Sequence, residues 1–482
     1  MRNKVNLIFE NITITAVAAE GKALAKVNDM VLFVAFAAPG DVVDVEVFRK
    51  KKSFMEGRIV KFHTYSPLRE TPFCEHFGVC GGCKWQHLVY SEQLIQKQQQ
   101  VCDHLERIGK LKLPTVQAIL GSTHTQYYRN KLEYTFAPKR WLSMAEIAAD
   151  TELSAEDRAG LGFHLPGMFD KVLDITHCYL QASPSNEIRL AIKAFVLEQG
   201  YSFYDVRENR GFLRNMIIRN TTTLEFMLIL IVSEDDEEKI KNILDFVSAK
   251  FPQITSLQYV INAKLNDSIT DLEVVLYKGT PYITETMPTY TKNGEPATSS
   301  LLFRIGPKSF YQTNSEQAYK LYSLALDFAD LQGNEIVYDL YTGTGTIANF
   351  IAPHVQKVIG IEYVPQAIED AFENAKINGI YNTVFYAGDM AKVLTPDFVK
   401  RNSKPNLVIT DPPRDGMHAS VVEQLIKMCP EKIVYISCNS ATQARDLALL
   451  CQDGLYAIDK LRAVDMFPHT HHVESVVSLK RV

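Results

Sequence analysis

Apolar and polar positions change rhythm along this chain of 482 residues, and each rhythm predicts a different set of elements. Over 1–63 the runs are short and alternating, predicting strands at 7–14 (LIFENITI), 30–36 (MVLFVAF), 41–48 (DVVDVEVF) and 54–62 (FMEGRIVKF). Gly21, Pro39-Gly40 and Gly57 punctuate them. Many short strands in so little chain predict a small closed, OB-like β-barrel over 1–65, of the kind that binds oligonucleotides. Residues 66–310 mix both periods and predict an α+β domain. A helix at 91–109 is opened by Ser91, carries Leu94, Val101, Leu105 and Ile108 on one side, and stops at Gly109. The stretch 211–233 reads as a hairpin and 234–251 as an amphipathic helix.

The C-terminal part, 311–482, alternates helices with strands at 335–341, 357–362, 383–389, 406–411, 432–437, 454–464 and 473–482. The first five are continuous apolar runs, as parallel strands covered on both faces require. The last two stand too close together for a crossover helix and should be antiparallel. The fold class predicted is therefore α/β, a seven-stranded Rossmann-like domain with a closing hairpin, preceded by the α+β domain and the barrel. A helix at 315–331 should begin at a capping box formed by Thr313 and Glu316.

Composition adds two constraints. With 46% apolar and 22% charged residues the chain is of ordinary globular type, and no apolar run approaches the ~20 residues of a membrane span. The N-terminus lacks a signal-like apolar core, so a cytoplasmic protein without a membrane partner is expected. Charge is uneven: residues 1–140 hold 20 Lys and Arg against 13 Asp and Glu, whereas the remainder holds 31 against 43. A basic first third suits nucleic acid at one end. The run Arg49-Lys-Lys-Lys52 falls on the turn joining the last two barrel strands, where it could track phosphates.

Candidate chemistry concentrates at strand ends. In YDLYTGTGTIANF (338–350) a strand ending in an acidic residue, Asp339, runs through Gly343 and Gly345 into a helix. Glu362 ends the next strand, at a spacing that suits an acidic side chain on ribose hydroxyls. Asp389 and Asp411 end the third and fourth, so all four face one crevice. The third glycine of a dinucleotide fingerprint is missing, which argues against pyrophosphate; the cationic sulfonium of S-adenosylmethionine suits an acidic lining. For each residue singly, helix capping is the competing reading. In VYISCNSAT (434–442) a thiol, Cys438, stands at the lip of the fifth strand, past the apolar run where a core cysteine would sit. Glu474 lies at the start of the final strand, where a carboxylate is costly unless paired or functional. His469, His471 and His472 suggest a metal but lack a second ligand group in sequence.

Eight cysteines are too few for a disulfide scaffold, and three cluster as Cys74-x5-Cys80-x2-Cys83 on a glycine-rich segment. Three thiolates can wrap a soft metal centre with a fourth ligand from elsewhere. Zinc completed by His76 or His87 and an iron–sulfur cluster are both open on chemistry alone. Cys102 lies next to an apolar helix face and reads as packing.

The motifs SCNSATQARD, DPPRDG, SFYQTN and HHVESV resemble those of the RNA uracil-5-methyltransferase family, over nearly the whole chain. Together with the N-terminal barrel, a TRAM domain, and the cysteine segment, they are similar to the 23S ribosomal RNA members. The resemblance implies Cys438 as nucleophile and Glu474 as the base taking the C5 proton. It implies Gln312, Tyr341, Glu362, Asp389 and Asp411 as contacts of S-adenosylmethionine. It also implies Cys178 as the fourth ligand, beside Cys74, Cys80 and Cys83, of a [4Fe–4S] cluster. The implied partner is 23S ribosomal RNA, met by a monomer. The chemistry is coherent: C5 of uracil is a poor nucleophile until a thiolate adds to C6, after which C5 can attack a sulfonium methyl. The base face must be exposed, so the uridine should flip out of its stack. The chain departs from the family at Ser440, where proline is usual, and at Thr346, where some members have asparagine. YYRNKLEY (127–134) interleaves aromatic and basic residues as stacking on unpaired bases needs, although a half-buried strand reads the same way. Three rivals remain: an exocyclic-amino methylase, in which Arg414 would stand where an aromatic follows DPP; a transfer RNA uracil methylase, expected to lack barrel and cluster; and a non-catalytic iron–sulfur RNA-binding protein.

Overall fold

The structure, a computed structural model, describes residues 7–149, 152–292, 295 and 297–482. The N-terminal strands form one six-stranded sheet in the order Leu7–Thr13, Val42–Lys50, Phe54–Thr64, Met30–Val34, Ala23–Val27, Ala16–Val17. It wraps a core of Leu32, Val34, Val43, Val45, Val47 and Met55, all essentially inaccessible. The small β-domain is as expected, but its hydrogen-bonded ladder is not closed, and Leu7–Thr13 and Ala16–Val17 are its two edges. Gly57 is required inside it, because a Cβ there would lie 2.3 Å from Val45. Arg49 and Lys50 end the strand that pairs with Phe54–Thr64, so the basic run does occupy that turn. Asp41, fully buried, receives two hydrogen bonds from Arg69 at 2.8 and 2.7 Å, which ties this domain to the segment that follows.

The central region is a seven-stranded sheet ordered Met168–Asp174, Gly160–Leu165, Lys131–Ala137, Leu213–Asn220, Phe226–Val232, Ile254–Ile261, Val275–Gly279. The predicted hairpin is present as the antiparallel pair Leu213–Asn220 and Phe226–Val232. Helices Ser185–Glu198 and Glu237–Lys250 contribute Ile188, Ile192, Ile243 and Leu244 to the same core.

The C-terminal sheet runs Thr383–Ala387, Lys357–Glu362, Ile336–Leu340, Leu407–Thr410, Lys432–Ser437, Glu474–Arg481, Tyr456–Val464. The first five are mutually parallel and the last two antiparallel, as the apolar runs predicted. An eighth strand, Gln117–Leu120, was not anticipated; it adds in parallel to Tyr456–Val464 from outside the 311–482 segment. The helix Tyr90–Arg107 also packs against this sheet through Val101 and Leu105.

Two predicted caps are different in the structure. Val89, not Ser91, occupies the N-cap of Tyr90–Arg107. The helix Ser315–Ala329 is capped by the Asn314 side chain accepting from the Gln317 N–H at 3.2 Å, so Thr313 and Glu316 form no capping box. Among the described residues no helix is long and apolar enough to cross a membrane.

Candidate active site

The thiol and the carboxylate are brought together by strand register. Lys432–Ser437 and Glu474–Arg481 pair antiparallel, with Ser437 opposite Ser475 as the last pair. Cys438 and Glu474 are the next residues beyond that last pair, Cys438 in the bend just past its strand and Glu474 at the start of its own, and the charge of Glu474 acts on the Cys438 thiol. Glu474 is itself paired with Val464 of the strand Tyr456–Val464, and the residue is 4% exposed. Asp411 follows the strand Leu407–Thr410, its N–H donating to the Leu340 carbonyl at 3.4 Å.

These groups act on one another electrostatically. Burial pushes the Cys438 thiol up to about 11; the charges of Glu474 and Asp411 act in the same direction and Arg414 against it. Burial likewise raises Glu474 well above the carboxylate range, Asp411 adding to the rise and Arg414 opposing it. Asp411 is pushed up to about 7 by burial. Burial thus favours the neutral thiol and the protonated carboxyls, and the positive charge of Arg414 favours the ionised forms of Cys438 and Glu474.

The loop carrying Arg414 is anchored on the helix that follows the thiol. The Arg414 carbonyl accepts from Asn439 Nδ2 at 2.9 Å and from the Thr442 hydroxyl at 3.0 Å. Asp446 Oδ2 accepts from the Met417 N–H and the Tyr435 hydroxyl, each at 2.8 Å. Asn439 caps the helix Ser440–Leu450. Ser440, the first residue of that helix, has its hydroxyl 2.8 Å from His104 Nδ1, a tether to Tyr90–Arg107 that proline could not make.

The glycine turn lies between the first and second parallel strands. Tyr341 (φ 64°), Gly343 (φ 55°) and Gly345 (φ 74°) all take left-handed backbone. A Cβ on Gly345 would stand 2.8 Å from the Ala371 Cβ, whereas one on Gly343 would meet nothing within 4 Å. Gly345 thus serves packing against the helix Pro365–Ile377, and Gly343 leaves open space over the turn. Glu362 braces it, accepting from the Gly343 N–H at 3.2 Å and the Val364 N–H at 3.0 Å. Asp339 is fully buried, accepts from the Thr342 hydroxyl at 2.5 Å, leaves Oδ1 without a partner, and is pushed up to about 7 by burial. An unpaired buried carboxyl oxygen, an open glycine turn and an acidic rim fit S-adenosylmethionine, whose sulfonium is cationic and whose ribose supplies hydroxyl donors.

The remaining predicted contacts are mixed. Gln312 is 8% exposed, and its backbone carbonyl accepts from Asn130 Nδ2 at 2.9 Å. The buried Tyr322, absent from the sequence-based set, feels the charges of Asp411, Asp339 and Glu474. Only its helical apolar spacing was visible in sequence. Asp389 caps the short helix Met390–Val393 through the Ala391 N–H at 3.1 Å, which is the competing capping reading. Thr346 is buried, 3.4 Å from the Thr344 hydroxyl.

Cys74, Cys80, Cys83 and Cys178 line one cavity of about 460 Å³ with His76. Burial raises all four thiols, to about 12 at Cys83 and about 11 at Cys178, and their mutual charges add to the rise at Cys83. Yet among the described residues no three His, Cys, Asp or Glu side chains converge as one metal ion requires. His87 points away, its Nε2 3.2 Å from the Ala37 carbonyl, so it completes no zinc set. His469 is held by Gln93 rather than by a ligand group, at 2.9 Å through its N–H and 3.2 Å through Nδ1.

The chain resembles known proteins over nearly its whole length. Residues 276–482 match the tRNA (Uracil-5-)-methyltransferase family and residues 10–60 the TRAM domain. An uncharacterized RNA methyltransferase of Porphyromonas gingivalis is 56% identical, over 97% of this chain and 99% of its own length. One from Bacteroides thetaiotaomicron is 54% identical over 96% and 99%. Among solved structures, the Pyrococcus abyssi tRNA (uracil-54, C5)-methyltransferase in complex with S-adenosyl-L-homocysteine is 28% identical, with a TM-score of 0.72, covering 97% of this chain and all of that one. The chain belongs to the S-adenosylmethionine-dependent RNA uracil-5-methyltransferase family that carries a TRAM domain.

Proposed function

We propose that this enzyme methylates C5 of one uridine in 23S ribosomal RNA, with Cys438 as nucleophile and Glu474 as base. The observation supporting this reading is that Cys438 and Glu474 directly flank the last pair of two adjoining strands, near enough to Asp411 for its charge to act on both. S-adenosylmethionine, when bound, supplies the electrophilic methyl group, and Gln312, Tyr341, Glu362, Asp389 and Asp411 are the residues proposed to hold it. The Cys438 thiol gives up its proton to solvent as its sulfur bonds to C6 of the flipped uracil, and the C5–C6 π electrons shift towards O4, which makes C5 nucleophilic. After C5 is methylated, the Glu474 carboxylate accepts the C5 proton and the C6–S bond breaks, restoring the thiolate and the aromatic ring. Arg414, whose charge opposes the rise at both groups, favours the ionised forms that each step needs.

Glu474→Gln should trap a covalent protein–RNA adduct that carries the methyl group; normal turnover would remove Glu474 as base. Cys438→Ser should abolish both adduct and product, whereas an exocyclic-amino methylase or a non-catalytic RNA binder would be insensitive to it. Cys74, Cys80, Cys83 and Cys178 are proposed to hold a [4Fe–4S] cluster that organises their loop. Cys178→Ala should remove its visible absorbance, and an unchanged spectrum would move the fourth ligand elsewhere. Transfer RNA is the second reading. The Pyrococcus enzyme named for it matches nearly the whole chain, so the expectation that such relatives lack the N-terminal regions does not separate the two substrates. Mapping 5-methyluridine in 23S and transfer RNA from cells with and without this cytoplasmic, monomeric enzyme decides between them.

A further inference from the structure

A group of rings outside the catalytic crevice has no role in the chemistry described so far. Tyr127, His177 and Tyr179 form a cluster, with centroids 4.3 Å apart for His177 and Tyr179, 6.1 Å for Tyr127 and Tyr179, and 6.4 Å for Tyr127 and His177. Phe73 extends it, meeting Tyr179 at 5.2 Å. Rings gathered in this way normally end in a core, yet Tyr127 is 45% exposed and His177 and Tyr179 are only half-buried. The arrangement is also maintained against local preference. Tyr127 adopts φ 55°, a left-handed conformation unfavourable for a bulky residue. Its N–H donates to the Tyr179 carbonyl and the Arg129 N–H to the Leu180 carbonyl, both at 2.7 Å, which fixes the strained residue beside Tyr179.

The cluster is joined to the loop that delivers Glu474. Phe73 meets the His469 ring at 5.0 Å. The Tyr128 hydroxyl donates to the Pro468 carbonyl at 3.0 Å, and the Arg129 guanidinium lies 5.9 Å from the Phe467 ring. Lys84 and Trp85, next to Cys83, donate their N–H groups to the His469 carbonyl at 2.8 and 3.0 Å. The rings are therefore rigidly placed relative to the catalytic base. Arg129 and Lys131 line the same cavity as His177 and Tyr179, while Glu75 accepts from the Thr176 hydroxyl and the charge of Glu187 acts on Tyr127, which disfavours a purely electrostatic site.

We propose that Tyr127, His177 and Tyr179, extended by Phe73, form a stacking platform for an unpaired nucleobase of the RNA substrate, adjacent in the strand to the uridine that is flipped. This rests on the family's action on RNA and names a second point of contact on that substrate. Stacking suits the observation because every base presents a π-face, whereas the mixed charges around the cluster do not build a phosphate track. An extruded uridine leaves its neighbours unstacked, and a fixed aromatic surface near the base-delivering loop can receive one of them.

The test uses the full-length enzyme with a labelled single-stranded oligouridylate and a blunt RNA duplex as probes. Tyr179→Ala combined with Tyr127→Ala should weaken single-strand binding about 10-fold or more, on the scale of one lost base–aromatic stack, and leave duplex binding unchanged. Tyr179→Phe, which keeps the ring, should bind as the parent does. Because Tyr179 directly follows Cys178, an unchanged melting temperature and unchanged S-adenosylmethionine binding in the double variant establish that the fold is intact. Single-strand affinity equal to the parent, or equal losses on both probes, would overturn the platform. Cys438→Ser separates it from the proposed chemistry: loss of 5-methyluridine with undiminished single-strand binding supports both, and retained methylation would sink the chemistry while leaving the platform's affinity test to stand by itself.

Discussion

Lys97 Nζ lies 2.6 Å from Asp465 Oδ1, and both side chains are wholly buried. Tyr90 donates to the other carboxylate oxygen at 2.8 Å, and Lys97 also donates to the Phe467 carbonyl at 3.0 Å. This network pins the loop 465–473, which leads into Glu474, onto the helix Tyr90–Arg107. Removing one partner strands a charge without water, so Lys97→Met should cost about 3–5 kcal/mol. Lys97→Met combined with Asp465→Leu should recover most of that loss, because no uncompensated ion remains. Denaturant midpoints of the two variants measure the difference.

The two glycines of the turn should respond differently. Gly345→Ala places a methyl 2.8 Å from Ala371 at φ 74° and should destabilise by about 2–4 kcal/mol. Gly343→Ala meets open space and carries only the left-handed penalty of about 1–2 kcal/mol. Its methyl would project over the turn proposed to cradle the cofactor, so S-adenosylmethionine affinity should fall at least 10-fold. Thermal melting and calorimetric titration separate the two effects.

The buried carboxyls predict an unusual pH response. Asp339 and Asp411 each rise from 3.8 to about 7 on folding. Their neutral forms therefore stabilise the fold fully below about pH 4, and that contribution is lost as pH rises through about 7. Melting temperature in the absence of ligand should fall by a few degrees between pH 5.5 and 8, on the order expected for this size. S-adenosylmethionine, being cationic, should stabilise more at pH 8 than at pH 6. S-adenosylhomocysteine, which lacks that charge, should show a weaker trend, and Asp339→Asn should flatten part of the slope. Melting curves across the range, with each ligand, test the sign.

How much of this was legible depended on whether the signal was local. The continuous apolar runs identified five parallel strands, because burial on both faces leaves no alternation to read. The missing crossover length identified the terminal antiparallel pair. Cys438 and Glu474 could be singled out because a thiol beyond an apolar run and a carboxyl at the start of one are both costly placements. Lys97 was not legible: in QKQQQ it looks like a solvated helix face, and its partner is 368 residues away. Gln117–Leu120 was equally hidden, since its exposed edge position imposes no apolar period.

The sequence by itself determined element types, strand direction and the residue kinds of the site, since each follows from periodicity, spacing and the cost of burying polar atoms. Only the tertiary structure decided that Asp389 caps a helix, that Ser440 is tied to His104, that Tyr322 joins the acidic rim, and that aromatic rings from three separate segments meet beside the loop feeding Glu474. Those outcomes depend on register and on long-range pairing, where a single hydrogen-bonded step moves a side chain from one face to the other.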